Sequence, residues 1–129
     1  MATGLPAVTG DVLTAATFNG LVTFTVGTAN TADYTAVLAD SYQVLEIMNK
    51  ATAIAFKIPT DASVAFPVGT VLTVLNIGVG VCTISAVTSG TTTILSAGTV
   101  AAAPTLAQYK SAACIKTAAN TWYVGGAIA

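Results

Sequence analysis

From residue 70 to residue 96 the chain alternates between apolar side chains and threonine or serine, broken by glycine. In TVLTVLN (70–76), Val71, Thr73 and Leu75 share one face and Leu72, Val74 and Asn76 the other. VCTISAV (81–87) sets Cys82, Ile84 and Ala86 against Val81, Thr83, Ser85 and Val87. A period of two over short β-branched stretches is the pattern of half-buried strands. The glycine-bearing stretches IGVG (77–80) and TSG (88–90) read as the turns between them. The pattern therefore predicts a meander of short antiparallel strands, with TTTILS (91–96) as its next member.

The same alternation marks LVTFTV (21–26), YTAVL (34–38), QVLEIMN (43–49) and TAIAFKI (52–58), where Ile54, Phe56 and Ile58 point inward. Asp40-Ser41 makes a turn, since aspartate bonds readily to its own backbone. Pro59 ends a strand because it has no N–H for the ladder. QYKSAACIKT (108–117) and TWYVGGAI (121–128) read as a C-terminal hairpin turning at AAN (118–120). One short helix is expected at TAATFNG (14–20), with Thr14 as N-cap and Gly20 as stop. The fold class is mainly β: an antiparallel β-sandwich or barrel of about eight short strands with one N-terminal helix. Residues 1–30 are expected to form an N-terminal arm and residues 31–129 the β body. No fixed-period repeat is visible, which disfavours a solenoid.

Charge changes this picture. Only 7% of the 129 residues are charged, against about 25% in ordinary soluble domains. No charge falls between Ala62 and Tyr109, and the chain has neither arginine nor histidine. A membrane helix is excluded from that run by its five glycines (Gly69, Gly78, Gly80, Gly90, Gly98) and its frequent threonines. Four lysines nearly balance five acids, which leaves no basic patch for nucleic acid. A body with 54% apolar residues and little net charge implies bare surface covered by copies of itself or by another protein. The start, MATGLPAVTGD, lacks the basic and apolar parts of a secretory signal, which gives the expectation of assembly inside a cell.

Candidate chemistry is sparse. Cys82 and Cys114 have no CxxC spacing and no histidine, so no metal site and no cofactor are expected. Two reduced core thiols or a disulfide remain the alternatives. Ser111 beside Lys110 would face the opposite way on a strand. Asp33, Asp40 and Glu46 sit close enough in sequence to meet at one end of the sheet, or to serve separately as turn and solvated residues. Tyr34, Tyr42, Tyr109, Trp122 and Tyr123 are either a sugar- or partner-binding platform or packing residues. Nothing here assembles a catalytic set, and no enzyme is expected.

Two stretches carry a resemblance. VTGDVLTAATFNGL (8–21), with Gly10, Asp11, Val12, Leu13, Thr14, Ala15, Phe18 and Asn19, resembles a segment near the N-termini of bacteriophage tail-fibre-like and other virion proteins. IPTDASVAFPVGTVLTVLNIGVGVCTISA (58–86), then SAG (96–98) and QYKSAACIKTAANTWYVGG (108–126), is similar to a β module of phage fibres and appendages. Its positions are held here by Pro59, Asp61, Phe66, Gly69, Gly78, Gly80, Tyr109, Ile115 and Trp122. The resemblance implies a virion structural protein: a homotrimeric capsid decoration (cement) protein bound to the major capsid protein. The alternative is a tail-fibre or head-fibre component that binds host-surface glycan. Val12, Leu13, Phe18 and Leu21 are the expected docking contacts.

Overall fold

The structure is a computed structural model that describes residues 14–15, 23–100 and 102–129. The helix expected over 14–20 falls outside the described residues except for Thr14 and Ala15. Of these two, Ala15 is helical; the described residues also hold a four-residue 3-10 turn, Leu38–Ser41, at the Asp40-Ser41 position read as a turn.

The protein is mainly β. Its strands are β1 (Thr25–Val26), β2 (Tyr34–Thr35), β3 (Val44–Met48), β4 (Ile54–Ile58), β5 (Val71–Asn76), β6 (Cys82–Ala86), β7 (Thr93–Ser96), β8 (Thr99–Val100), β9 (Thr105–Leu106), β10 (Lys110–Ala118) and β11 (Thr121–Gly126). A seven-stranded sheet runs β1-β3-β5-β10-β11-β7-β8 and a four-stranded sheet runs β2-β4-β6-β9. Among the described residues eleven strands stand in place of the expected eight or so. Those not foreseen, β8 and β9, are two residues each.

The expected antiparallel meander is corrected in one specific way. From β1 to β6 the chain passes alternately between the sheets, and each strand pairs in parallel with the strand two ahead. Leu45 pairs with Thr73 and Ile54 with Cys82, so this turn of the coil takes the same number of residues in both sheets. The connectivity is locally that of a solenoid, although no sequence repeat announces it. Among the described residues antiparallel pairing is confined to β5–β10, β10–β11, β7–β8 and β6–β9.

The glycine turns explain the difference. IGVG (77–80) carries the chain across to the other sheet and lies on the turn of the previous coil. A Cβ on Gly80 would sit 1.8 Å from the Thr52 carbonyl oxygen, and one on Gly78 would sit 2.4 Å from the Lys50 nitrogen. These glycines are needed for close backbone approach, not for a hairpin. The β7–β8 connection is a tight hairpin, with Ala97 at φ 49° and Gly98 at φ 81°, two successive left-handed residues as a primed turn requires.

Both sheets send their alternate side chains into one core. Met48, Leu72, Val74, Ile94, Cys114, Trp122 and Val124 come from the larger sheet, and Ile54, Phe56, Ile58, Cys82, Ile84 and Leu106 from the smaller. Trp122 meets Phe66 edge-on, with ring centroids 5.4 Å apart at 89°. The inward assignment of Ile54, Phe56 and Ile58 holds. Asn76 is fully buried yet satisfied: its amide donates to the carbonyls of Gly80 and Leu106, and its side-chain oxygen accepts from Gly78 N–H.

Candidate interaction surface

The expected docking residues Val12, Leu13, Phe18 and Leu21 lie outside the described residues. Two other features of the described chain are built from polar and apolar groups in defined positions: the outer face of the seven-stranded sheet, and a buried carboxyl cluster at its β1 end.

Alternation on the larger sheet sends one set of side chains to the core and the other set outward. Strand register lines up the outward set. Val71 lies opposite Ile115, Ile115 opposite Tyr123, Tyr123 opposite Leu95, and Leu95 opposite Val100. The result is a five-strand row of large apolar side chains. Val71 is 43% exposed, Ile115 38%, Tyr123 44% and Val100 69%. A parallel row runs Val26, Leu45, Thr73, Ala113 and Gly125. Because three of these are small, Leu45, Thr73, Ala113 and Gly125 line a depression of about 410 Å³ that Phe24 also borders. The Tyr123 ring leans over Gly125, where a Cβ would come within 3.1 Å of its edge. No residue in either row is charged. Ridge and depression lie side by side on one uncharged face.

The aromatic residues do not assemble into a platform. Trp122 is fully buried and Tyr34 packs against Phe56, with ring centroids 6.0 Å apart. Tyr109 and Tyr123 are exposed. Tyr109 lies in the turn just before β10, whereas Tyr123 on β11 pairs with Ile115, six residues further along the chain, about 20 Å away at strand rise.

Of the three acids flagged in the sequence, the structure unites two. Asp40 and Glu46 are both buried. Asp40 Oδ2 accepts the Tyr34 hydroxyl at 2.8 Å and the Val37 N–H at 2.9 Å. Glu46 Oε2 accepts the Asn30 side-chain amide at 3.0 Å, and the same amide donates to the Ile47 carbonyl. Burial, reinforced by the neighbouring Asp40, pushes the Glu46 carboxyl up to about 7. Burial and then Asp40 also raise the Tyr34 phenol. Asp33 stays at the surface, accepting from Ala55 N–H and facing Lys57 at 3.7 Å. That exposed ion pair adds little stability.

One charged pair escaped the sequence reading. Lys116 alternates with Ala112 and Cys114 on the inward face of β10 and is 4% exposed. Its ammonium donates to Asp61 Oδ1 at 2.7 Å and to the Phe66 carbonyl. Asp61 Oδ2 accepts Asn120 N–H, while Asn120 Oδ1 accepts Asp61 N–H. The Lys116 hydrogen bond holds the Asp61 carboxyl below its usual range. This network ties the 59–70 connection to the β10–β11 turn. Asp61 therefore has a structural role, as the partner of the buried Lys116 and of the Asn120 backbone.

Cys82 and Cys114 are free thiols, one from each sheet, both fully buried. Burial raises them to about 11 and about 12. Among the described residues no group of three or more histidine, cysteine or acidic side chains is placed to hold a metal ion. No helix among them is long and apolar enough to cross a membrane.

Compared with protein families, curated proteins and solved structures, the chain matches none of them. The functional reading therefore rests on its own residues and surfaces.

Proposed function

We propose that the chain is a structural component of a bacteriophage particle: a capsid decoration protein, homotrimeric, whose two sheets form a β-sandwich body laid against the shell. The observation that carries the reading is the outer face of the seven-stranded sheet. It presents two adjoining rows of side chains without one charge, in a chain with only nine ionisable side chains of Asp, Glu, Lys and Arg type. Soluble monomers rarely leave an apolar face of that kind bare, and it marks a surface that a partner covers. The resemblance of 8–21 and 58–126 to virion modules supports the same class of role, with the major capsid protein as partner.

The mechanism is mechanical. Removing apolar area from water contributes about 25 cal/mol per Å², and association entropy offsets much of it. Repetition of a modest contact over a closed shell stiffens the whole, because many copies must release together. The test is co-sedimentation of the purified chain with empty phage heads. Binding at a fixed stoichiometry, with heads that then resist heating, is the expected result. A chain that stays in the supernatant with heads, but is retained on host-surface glycans, would replace this reading with the fibre alternative.

A further inference from the structure

We infer that the outer face of the seven-stranded sheet binds a second copy of this chain, the Val71–Ile115–Tyr123–Leu95–Val100 ridge of one copy seated in the Thr73–Ala113–Gly125 depression of the next. The inference rests on the proposed function and names the partner of its central surface.

Three observations favour a sister copy over an unrelated partner. The first is charge. Both rows are free of ionised groups, so a partner that covers them without stranding a charge must itself offer an uncharged face. This chain carries one. The second is shape. The ridge and the depression run parallel across the same strands, β5, β10 and β11. A rotation that faces one copy toward another sets ridge against depression, and in a two-fold pair it does so twice. In a trimer the same seating runs from each copy to the next. The third is size. Seven strands about 4.8 Å apart and some five residues long give a projected face of roughly 500 Å². Side-chain relief raises its accessible area toward the roughly 800 Å² per partner of a standard interface.

The test is sedimentation of the full chain over a wide range of concentration, with three variants. The wild type is expected at the mass of two or three chains. Ile115→Lys plants a charge on the ridge and is expected to weaken association at least about a hundredfold. Ala113→Leu keeps the face apolar but fills the depression, and is expected to weaken association as well. If the face were only sticky, Ala113→Leu would strengthen it, and that result overturns the seating. Val79→Lys alters an exposed valine in the 77–81 turn and is expected to leave the mass unchanged. Far-ultraviolet circular dichroism checks that each variant is folded. A wild type that is a single chain at every concentration overturns the inference, as does an oligomer indifferent to Ile115→Lys. The two readings fail separately. A single chain that still coats phage heads removes the sister copy, and the trimer with it, and leaves the decoration role. An oligomer that ignores heads removes the function and leaves the interface.

Discussion

Glu46 and Asp61 are both carboxyl groups beside another ionisable side chain, yet their surroundings drive them in opposite directions. Glu46 is buried with Asp40 beside it and holds its proton up to about 7, above the ordinary 4.5. A group whose folded value is raised contributes stability that is complete below the unfolded value and is lost as pH climbs through the folded one. Asp61 is held down by Lys116, so its contribution is present above the ordinary carboxylate range and lost as pH falls. The two limbs predict a stability maximum on the mildly acidic side, with decline between pH 4.5 and about 7 set by Glu46. Urea midpoints measured across this range should rise toward acid, and Glu46→Gln should flatten that limb while leaving the acid limb. A profile that keeps its slope in Glu46→Gln would place the titration elsewhere. The Lys116 pair gives a second expectation at this scale. Asp61→Ala strands a buried ammonium and should cost about 3–5 kcal/mol. Lys116→Met leaves a carboxylate that still reaches water, its side chain 27% exposed, and should cost less. Chemical denaturation of the two variants decides the order.

At the scale of elements, the turn 77–80 shows what the sequence could and could not disclose. A Cβ at Gly80 would collide with the Thr52 backbone, so Gly80→Ala should cost at least about 3 kcal/mol by forcing the stacked turns apart. Gly90 has open space around it and a positive φ of 89°. Gly90→Ala should cost only the left-handed backbone penalty, about 1–2 kcal/mol. Denaturant midpoints that rank the two the other way would mean that the coil is not stacked there. The sequence identified every strand of four residues or more, because alternation such as Ile54-Phe56-Ile58 depends on one buried face and not on the partner. It did not reveal the partner. A glycine turn between two alternating segments reads alike whether the chain doubles back or crosses to a second sheet, which is why antiparallel neighbours were expected where parallel ones stand. The short strands Thr99–Val100 and Thr105–Leu106 are too brief to show a period. The uncharged run between 62 and 109 supplies only Val71, Thr73, Leu95 and Val100 to the interaction surface; its other members come from β1, β3, β10 and β11, so the rows exist only through register. Lys116 was visible as an inward-phase lysine on β10, a signal available in the alternation with Ala112 and Cys114.

At the scale of the whole molecule, the shared core predicts that the two sheets open together. Each contributes one fully buried thiol, Cys82 from the smaller sheet and Cys114 from the larger. At mildly alkaline pH, alkylation of both should be slow in the native protein and should proceed at one common rate, that of global opening. A fast thiol beside a slow one would show a sheet that opens alone. The scarcity of charge leads to the last expectation. With nine ionisable side chains of those types in 129 residues and none on the outer rows of the larger sheet, association through that face draws on apolar burial and not on ion pairs. Raising salt from about 0.1 M to 1 M shrinks the screening length from about 10 Å to about 3 Å, which weakens exposed charge pairs and leaves apolar contacts intact. Sulfate strengthens apolar contacts outright. Binding, whether to sister copies or to shells, should therefore hold constant in sodium chloride and tighten in sodium sulfate, as read by sedimentation at matched protein concentration. Dissociation on adding sodium chloride would mean that the few lysines and acids, and not the bare sheet, hold the assembly together.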